Sequence, residues 1–158
     1  VLDIGSGTGV LLPFLIEQLG EEGRIVALDI SAEMLVQAQA KNFPPMVGLA
    51  QADVDAIPLA DNSVDMAVCN SAFPHFGDKV RALKEIARVL RNKGRLAICH
   101  TMSREMLNRF HQSIGGIVAS DILPDESQVR EMLKRAGLKI TRFEDRTERY
   151  LVVAEKSP

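Results

Sequence analysis

The first nine residues constrain the fold more tightly than any other part of the chain. Residues 1–4, Val-Leu-Asp-Ile, form a short apolar run that carries one acid, a pattern typical of a buried strand. Gly5, Gly7 and Gly9 follow at alternate positions, and leucines and isoleucines then recur with helical spacing over residues 11–19. Because glycine has no Cβ, it accepts a positive φ and lets a ligand approach the backbone closely. The stretch therefore predicts a strand, a ligand-binding turn and a helix.

The remainder of the chain alternates between predicted strands and helices. Helices are predicted from Ser31 to the proline pair at residues 44–45, over residues 78–91 with a stop at 92–94, and over residues 125–136. Further strands are predicted over residues 24–30, 46–52, 64–70, 95–99, 138–145 and 148–155. Only a short turn separates the last two, so they must be antiparallel neighbours, whereas strands joined through helices run parallel. The prediction is a single α/β domain over residues 1–158, a Rossmann-like, doubly wound, seven-stranded, mostly parallel sheet with a C-terminal antiparallel hairpin.

Acidic residues follow the predicted strands at their carboxyl ends, where open α/β sheets bind ligands. Asp29 ends the second strand, 20 residues after Gly9, and its carboxylate can accept hydrogen bonds from both hydroxyls of a ribose. Asp53 follows the third strand. A solvated surface acid is the alternative for Asp29, and an ordinary loop residue is the alternative for Asp53. The order of the glycine turn and the two acids favours a nucleotide-like ligand.

The spacing Gly-x-Gly-x-Gly, with Asp3 two residues upstream, resembles motif I of the class I S-adenosylmethionine (SAM) methyltransferases. The resemblance extends to Asp29, to the segment from Asp53 to Pro58, and to the helix over residues 83–90 with the Lys-Gly-Arg that follows it. It points to the small-molecule branch, methyltransferase type 11, grouped with the ubiquinone and menaquinone C-methyltransferases. The resemblance implies SAM as the cofactor and transfer of its methyl group to a small-molecule acceptor.

The resemblance also implies a set of cofactor-binding residues. Asp53 with Val54 would contact the adenine, and Ile30, Met34 and Ile57 would pack on its faces. The full set implied for the cofactor is Asp3, Gly5, Ser6, Gly7, Gly9, Asp29, Ile30, Met34, Asp53, Val54 and Asn70. In the family, helices before the first strand help to cover the ligand. Because this chain has no initiator methionine and starts inside a strand expected to be central, we expect that such a segment is missing here.

Other functions share parts of this pattern. An NAD-dependent oxidoreductase has the same turn, ribose acid and fold, but its pyrophosphate favours the wider Gly-x-Gly-x-x-Gly spacing. SAM carries no phosphate, and its positive charge suits a site that contains Asp3, Asp29 and Asp53. A SAM-binding protein without turnover also fits the pattern. An aminopropyltransferase uses a related fold, but no additional acid cluster suited to a polyamine follows the motif.

All three histidines of the chain lie where the chemistry is expected. His75 follows the fourth strand and His100 ends the fifth, so both are predicted to be catalytic, contacting the substrate or acting as a base. Residues 101–124 are predicted to form a substrate lid hinged at the glycine pair 115–116. On the lid, Arg104 and His111 are predicted to bind substrate, and Arg109 could join them in pairing an anionic acceptor. The alternative for this segment is a solvated helix, and the wide spacing of the histidines predicts no metal site.

Composition limits the partners. A net charge of −2 gives no general attraction to nucleic acid, and no apolar run is long enough to span a bilayer, so neither nucleic acid nor membrane is expected as a partner. A basic run is predicted to be a solvated helix face; it comprises Lys79, Arg81, Lys84, Arg88, Arg91, Lys93 and Arg95. Cys69 and Cys99 lie in strand-like runs, which favours reduced thiols and a cytoplasmic protein. The acceptor and the oligomeric state stay open.

Overall fold

The structure is a computed structural model that describes residues 1–157; Pro158, the last residue of the predicted single domain, lies outside the described residues. Within them, seven strands form one sheet and five α-helices cover it. The strands are β1 (Leu2–Ile4), β2 (Ile25–Asp29), β3 (Val47–Gln51), β4 (Val64–Asn70), β5 (Leu90–His100), β6 (Leu138–Arg146) and β7 (Arg149–Lys156). The helices are α1 (Leu12–Leu19), α2 (Ala32–Gln39), α3 (Lys79–Val89), α4 (Arg104–Ile114) and α5 (Glu126–Arg135), with 3-10 turns at Val54–Ala56, Phe73–His75 and Gly116–Ser120.

The strands lie in the order β3-β2-β1-β4-β5-β7-β6. The first five strands pair in parallel, and β7 pairs antiparallel with both β5 and β6. This arrangement confirms the predicted Rossmann-like sheet with its antiparallel C-terminal hairpin. Because the chain order reverses between β1 and β4, the carboxyl ends of β1, β2 and β4 border a crevice of the kind in which open α/β sheets hold ligands.

The core lies on both faces of the sheet, as the alternation of side chains in β2 requires. Ile25 and Ala27 pack with Leu12 of α1 in one apolar cluster. Leu28, the next residue along, belongs to the larger cluster, which contains Ile86 of α3 among its fully buried members. Helices therefore cover both faces of the sheet. The ends of the strands are left as the places where a ligand can reach it.

Two predicted helix ends are wrong. The helix expected to run from Ser31 to the proline pair at residues 44–45 ends at Gln39. The helix expected to end at residue 91 ends at Val89, and Leu90 already lies in β5, fully buried and paired with Val64. Residues 91–94, expected to stop the helix, instead form an irregular excursion of the strand before regular pairing resumes at Arg95. Lys93 has a φ of +66°, a left-handed conformation that accommodates the excursion. Burial of Leu90 in the sheet outweighs the local Asn-Lys-Gly signal for a helix end.

The basic run predicted to be a solvated face is mostly exposed: five of its seven residues are exposed, and Lys79 and Arg88 are half-buried. The Arg88 guanidinium donates to the carbonyls of Ile57 and Leu59, pinning the loop that follows β3. Further ion pairs join Arg88 to Glu85 and Asp61, Arg91 to Asp65, and Arg95 to Glu155. Across residues 1–157, no helix combines the length and apolar character needed to cross a membrane.

Candidate functional site

The turn after β1 uses three glycines for different reasons. All three have left-handed φ angles, +66° at Gly5, +54° at Gly7 and +77° at Gly9. A Cβ on Gly5 would lie 2.4 Å from the Cβ of Ala72, and a Cβ on Gly9 would lie 2.8 Å from the Leu12 Cδ1, so both are needed for packing. A Cβ on Gly7 would meet no atom of the described residues within 4 Å. Gly7 therefore leaves open space above the turn, where a ligand can lie against the backbone.

Asp29 ties this turn to the start of α2. Its Oδ2 accepts a hydrogen bond from the Gly7 N–H at 2.7 Å, and its Oδ1 accepts one from the Ser31 N–H at 2.9 Å. Ser31 in turn caps α2, accepting a hydrogen bond from the Met34 N–H. Each carboxylate oxygen has a second lone pair, so Asp29 can still accept hydrogen bonds from a ligand. The acid thus shapes the turn and keeps capacity for binding.

A cavity of about 610 Å³ opens at the carboxyl ends of β1, β2 and β4. Ile30 and Met34 form part of its wall and are 66% and 41% exposed, so they offer apolar surface that the folded chain leaves uncovered. Ile57, expected to share this role, is instead buried in the core at 3% exposure. The other residues lining this cavity are Ile4, Gly5, Gly7, Leu28, Asp29, Ser31, Ala52, Asp53, Val54, Asp55, Ser71, Ala72, His75, Phe76 and Gly77.

A second cavity of about 340 Å³ shares Gly5, Gly7 and Ser71 with the first. Asp3 lines it, is 1% exposed, and has an Oδ2 without a hydrogen-bond partner among the described residues. Burial, with Asp29 nearby, raises the pKa of Asp3 to about 6. A buried carboxylate without a partner is costly, and a cationic group placed in this cavity would supply one. Because both cavities border the same residues of the glycine turn, we treat the two together as the candidate site.

The predicted cofactor residues converge on this site with one exception. Asp3, Ser6 and Asn70 line the second cavity, Gly5 and Gly7 line both, and Asp29, Ile30, Met34, Asp53 and Val54 line the first. Gly9 is not among the lining residues, because its place is between Leu12 and Phe43. Ser31, Asp55, Ser71, Ala72, Phe76 and Gly77 line the first cavity and were missed by sequence reasoning. Several of them directly follow a strand, so the strand-end rule could have located them.

His75 and His111 lie together, and of the three histidines only His75 lines either of these two cavities. The His75 Nδ1 lies 2.8 Å from the Asp121 Oδ2, and its ring centroid is 5.3 Å from that of His111. His100 is 5% exposed and its ring packs edge-on against Tyr150. Burial, together with His75 and His111, lowers the pKa of His100 to about 4. The position of His100 therefore supports a neutral packing role and not the predicted direct catalytic one.

The predicted lid does not direct a cationic side chain into either cavity. Arg104 lines neither of them; its backbone N–H donates to the Asp145 Oδ1 at 2.9 Å at the start of α4. Arg109 pairs with Glu105 on the exposed face of α4. His111 is buried at 5% exposure, and its Nδ1 bonds to the Asp121 carbonyl. Neither Arg104 nor His111 lines the two cavities, so their contact with the substrate stays a prediction.

The described residues were compared with the side-chain groupings that bind metal ions. In residues 1–157, no group of three or more His, Cys, Asp or Glu side chains is arranged to hold a metal ion. In the His75–His111–Asp121 cluster, which consists of these three residues, the two histidine Nδ1 atoms bond to the Asp121 Oδ2 and to the Asp121 carbonyl.

A family model described as a methyltransferase domain matches residues 2–98, which run from β1 into β5 and include every residue that lines the two cavities. The chain belongs to this methyltransferase family. SAM is the methyl donor of the family.

Individual relatives of this methyltransferase chain cover different shares of it. A demethylmenaquinone methyltransferase from Corynebacterium kroppenstedtii is 30% identical over 162 residues, covering 88% of this chain and 67% of the relative. An uncharacterized 37.1 kDa protein in transposon TN4556 of Streptomyces fradiae is 37% identical over 98 residues, covering 61% of this chain and 28% of the relative. The chain thus spans about two thirds of the length of the first and under a third of the second.

A solved structure of a methyltransferase resembles this chain in both fold and sequence. The crystal structure of a SAM-dependent methyltransferase from Aquifex aeolicus superposes with a TM-score of 0.79 at 28% identity. The match covers 98% of this methyltransferase chain and 80% of the other. The antiparallel hairpin and the lid segment, which lie outside the family match, are therefore included in the structural likeness.

Proposed function

We propose that this chain binds SAM across the two cavities and transfers its methyl group to a small-molecule acceptor that carries a hydroxylated aromatic ring. One observation carries the proposal: two cavities border the same open glycine, Gly7, and are lined by Asp29, a carboxylate with free lone pairs, and by Asp3, a buried carboxylate with one oxygen unpartnered among the described residues. A ligand with a ribose in the middle and a cationic amino-acid group at one end matches these groups.

Five residues would hold the cofactor in the proposed pose. Asp29 would accept hydrogen bonds from the ribose hydroxyls, and Asp53 would accept one from the adenine amine. Ile30 and Met34, whose apolar surface is exposed at the cavity wall, would cover the faces of the ring. Asp3 would pair with the ammonium group and gain the partner that it lacks in the folded chain. Asp29 would use the lone pairs that its bonds to Gly7 and Ser31 leave free, whereas the other four residues offer an unpartnered oxygen or exposed surface.

The charges of the site argue against the dinucleotide alternative. Asp3, Asp29 and Asp53 line the two cavities, and no lysine or arginine is among the described lining residues. The pyrophosphate of NAD would lie among carboxylates without a compensating cation, whereas the positively charged sulfur and ammonium of SAM would be stabilised there. The same charges disfavour an anionic acceptor and favour a neutral one.

The acceptor would enter at the His75 end of the larger cavity. His75 and Phe76 line that end and offer one proton-accepting group beside an aromatic surface. When bound, SAM supplies a methyl group on a positively charged sulfur, and the C–S electron pair stays on sulfur as the group transfers. The protein then has to align the acceptor and exclude water. A neutral quinol-type ring meets these conditions, and the relative named as a demethylmenaquinone methyltransferase supports that class of acceptor.

Labelled methyl transfer tests the proposal. The purified chain is incubated with methyl-tritiated SAM and 2-prenyl-1,4-naphthoquinol, kept reduced, and the organic extract is counted. We expect label in the quinol product and none with the oxidised quinone, which has no hydroxyl to lose a proton. Asp29→Ala should abolish the labelled product through loss of cofactor binding. Binding of SAM without transfer to this quinol, or to other phenols, would contradict the proposed reaction and favour a binding protein without turnover.

We also propose a cytoplasmic location. Cys69 and Cys99 are both unpaired thiols on neighbouring strands, an arrangement that persists in a reducing compartment. Location of the tagged full-length protein in fractionated cells tests this directly. Recovery with an oxidising compartment would contradict it.

A further inference from the structure

We infer that Asp121 is a positioning residue that holds His75 as the general base of the reaction; the inference rests on the proposed function. The two side chains come from separate parts of the fold, His75 from the loop after β4 and Asp121 from the segment after α4. Their contact, 2.8 Å between Nδ1 and Oδ2, joins the wall of the larger cavity to the lid segment of residues 101–124. A base oriented by a carboxylate is the arrangement on which several unrelated enzyme classes depend.

The contact fixes which nitrogen of His75 carries the hydrogen. An ionised carboxylate only accepts hydrogen bonds, so the Nδ1 of His75 is the donor. In the neutral ring, Nε2 then keeps a free lone pair and can accept a proton. The His75 side chain is 44% exposed and lines the larger cavity, so an acceptor can reach this nitrogen. The Asp121 side chain is 26% exposed, which leaves the pair only partly shielded from water.

The loop that carries His75 is held on both sides of the residue. The Lys79 ammonium donates to the carbonyl of Pro74 at 2.8 Å and to that of Phe76 at 3.0 Å. These are the two peptide carbonyls flanking His75 along the chain. The backbone of the loop is therefore fixed by α3, and the ring orientation is left to Asp121.

The lid fixes Asp121 in its turn. The Asp121 carbonyl accepts a hydrogen bond from the His111 Nδ1. Asn108, one turn earlier on α4, bonds reciprocally with the backbone of Leu123, donating to its carbonyl at 3.0 Å and accepting from its N–H at 2.8 Å. Two residues of α4 thus hold the segment around Asp121. Packing of the lid segment on the sheet therefore places the Asp121 carboxylate against His75. His111 acts through Asp121 and does not need to contact the substrate.

The other histidines cannot replace His75 in this role. His100 is the last residue of β5, is buried against Tyr150 of β7, and lines neither cavity. His111 has its Nδ1 engaged by a carbonyl and is buried. His75 alone, among the described histidines, combines a cavity position with a carboxylate behind its ring.

The chemical step is a proton transfer. The Nε2 of His75 takes the hydroxyl proton of the acceptor; the O–H bond breaks, an N–H bond forms, and the electron pair stays on oxygen. The resulting oxyanion enriches the neighbouring ring carbon, which becomes the better nucleophile. That carbon attacks the methyl group, and the C–S electron pair stays on sulfur. The carbon then loses its hydrogen as a proton to water, and the oxygen takes its proton back from the imidazolium, which Asp121 stabilises until then. A base of this kind contributes roughly 10²–10⁴-fold in rate.

Kinetics of three variants with 2-prenyl-1,4-naphthoquinol test the assignment. His75→Ala should lower kcat about 10²–10⁴-fold, and added imidazole should restore part of the rate. Asp121→Asn should lower kcat about 10–100-fold, in the range for loss of an orienting group, with the KM for SAM unchanged and without rescue by imidazole. The matched control is Glu105→Gln on the exposed face of α4, which should keep the wild-type kcat. Wild-type kcat in Asp121→Asn, or imidazole rescue of it, would overturn the role of Asp121.

The tautomer of His75 gives a readout that needs neither SAM nor acceptor. Long-range ¹H–¹⁵N spectra of the full chain, with His75→Gln to assign the signals, should show the Nδ1–H form in the wild type. Asp121→Ala should release the ring to a mixture of tautomers. A wild-type ring with its hydrogen on Nε2 would overturn the assignment. If the wild type shows the Nδ1–H form but transfers no methyl group to the quinol, the proposed acceptor fails and the positioning by Asp121 stands.

Discussion

At the scale of single residues, Asp3 occupies a position that costs the folded protein stability. Its pKa lies at about 6, raised from an ordinary value of 3.8 by burial and then by Asp29. Between about pH 4 and pH 6 the folded chain therefore holds a proton that the unfolded chain has lost. The free energy of unfolding from this group falls as pH rises through that window, by about 3 kcal/mol at about 1.4 kcal/mol per unit. A ligand cation would recover part of that loss.

We expect Asp3→Asn to stabilise the chain while weakening its binding of SAM. At pH 8 the variant should exceed the wild type in free energy of unfolding by about 1–3 kcal/mol, since the neutral amide avoids the buried charge. Its affinity for SAM should fall about tenfold, which corresponds to about 1.4 kcal/mol. Urea unfolding at pH 4 and pH 8 and calorimetric titration measure the two effects. Equal stability of the two proteins at pH 8, with unchanged affinity, would show that Asp3 is neither strained nor bound to the ligand.

Asp29 differs from Asp3 because its carboxylate already accepts hydrogen bonds from the backbone of the folded chain. Asp29→Ala leaves the Gly7 and Ser31 N–H groups without their acceptor, so we expect a loss of about 1–3 kcal/mol in free energy of unfolding. SAM affinity should fall more than tenfold in calorimetric titrations performed where the variant remains folded by circular dichroism. A folded Asp29→Ala protein with unchanged affinity would exclude Asp29 as the ribose ligand.

At the scale of elements, the glycine turn allows a matched comparison. Gly7 and Gly20 have similar left-handed φ angles, +54° and +64°, and a Cβ at either would meet no described atom within 4 Å. Alanine at either position should therefore cost stability, by about 1–3 kcal/mol, with the larger cost at Gly20 because its ψ of −164° lies in a region that essentially only glycine adopts. Only Gly7→Ala should abolish SAM binding, because Gly20 follows the end of α1 and lines neither cavity. Loss of binding in both variants, or in neither, would show that open space at Gly7 is not the binding surface.

Some ends of strands and helices could be predicted from the sequence, and others could not. The strand ends at Asp29 and Asn70 were predictable because apolar runs and the residues after them are local signals. The end of α3 was not, since Leu90 joins the sheet through its pairing with Val64, far away in the chain. Asp121 carries no motif at all. Its importance comes from contacts with His75 and His111, which only the packed lid brings about.

At the scale of the whole molecule, the sheet order explains why both cavities lie at one edge. The carboxyl ends of β1, β2 and β4 are neighbours in space although their residues are distant in sequence. The alternation of strands and helices predicts this much. The depth of His100 could not be predicted, because Tyr150 covers it from β7, a strand that comes 50 residues later. The ends of the strands thus predict which residues lie at this edge of the sheet. Tertiary packing decides which of them line the cavities.

Binding to the folded state alone should stabilise the whole chain. At a SAM concentration 100-fold above the Kd, the free energy of unfolding should rise by about 2.7 kcal/mol. S-adenosylhomocysteine should produce a comparable rise and NADH none, in urea unfolding followed by circular dichroism. An equal rise with NADH would indicate a site that does not distinguish the two cofactors.

The most direct test of SAM binding is calorimetric titration of the purified chain with SAM, S-adenosylhomocysteine and NADH in parallel. We predict a Kd on the order of micromolar for the first two, at one site per chain, and no measurable heat with NADH. Binding of NADH alone would contradict the cofactor. Absence of binding by SAM to a chain that unfolds cooperatively would contradict the assignment of the two cavities as its site.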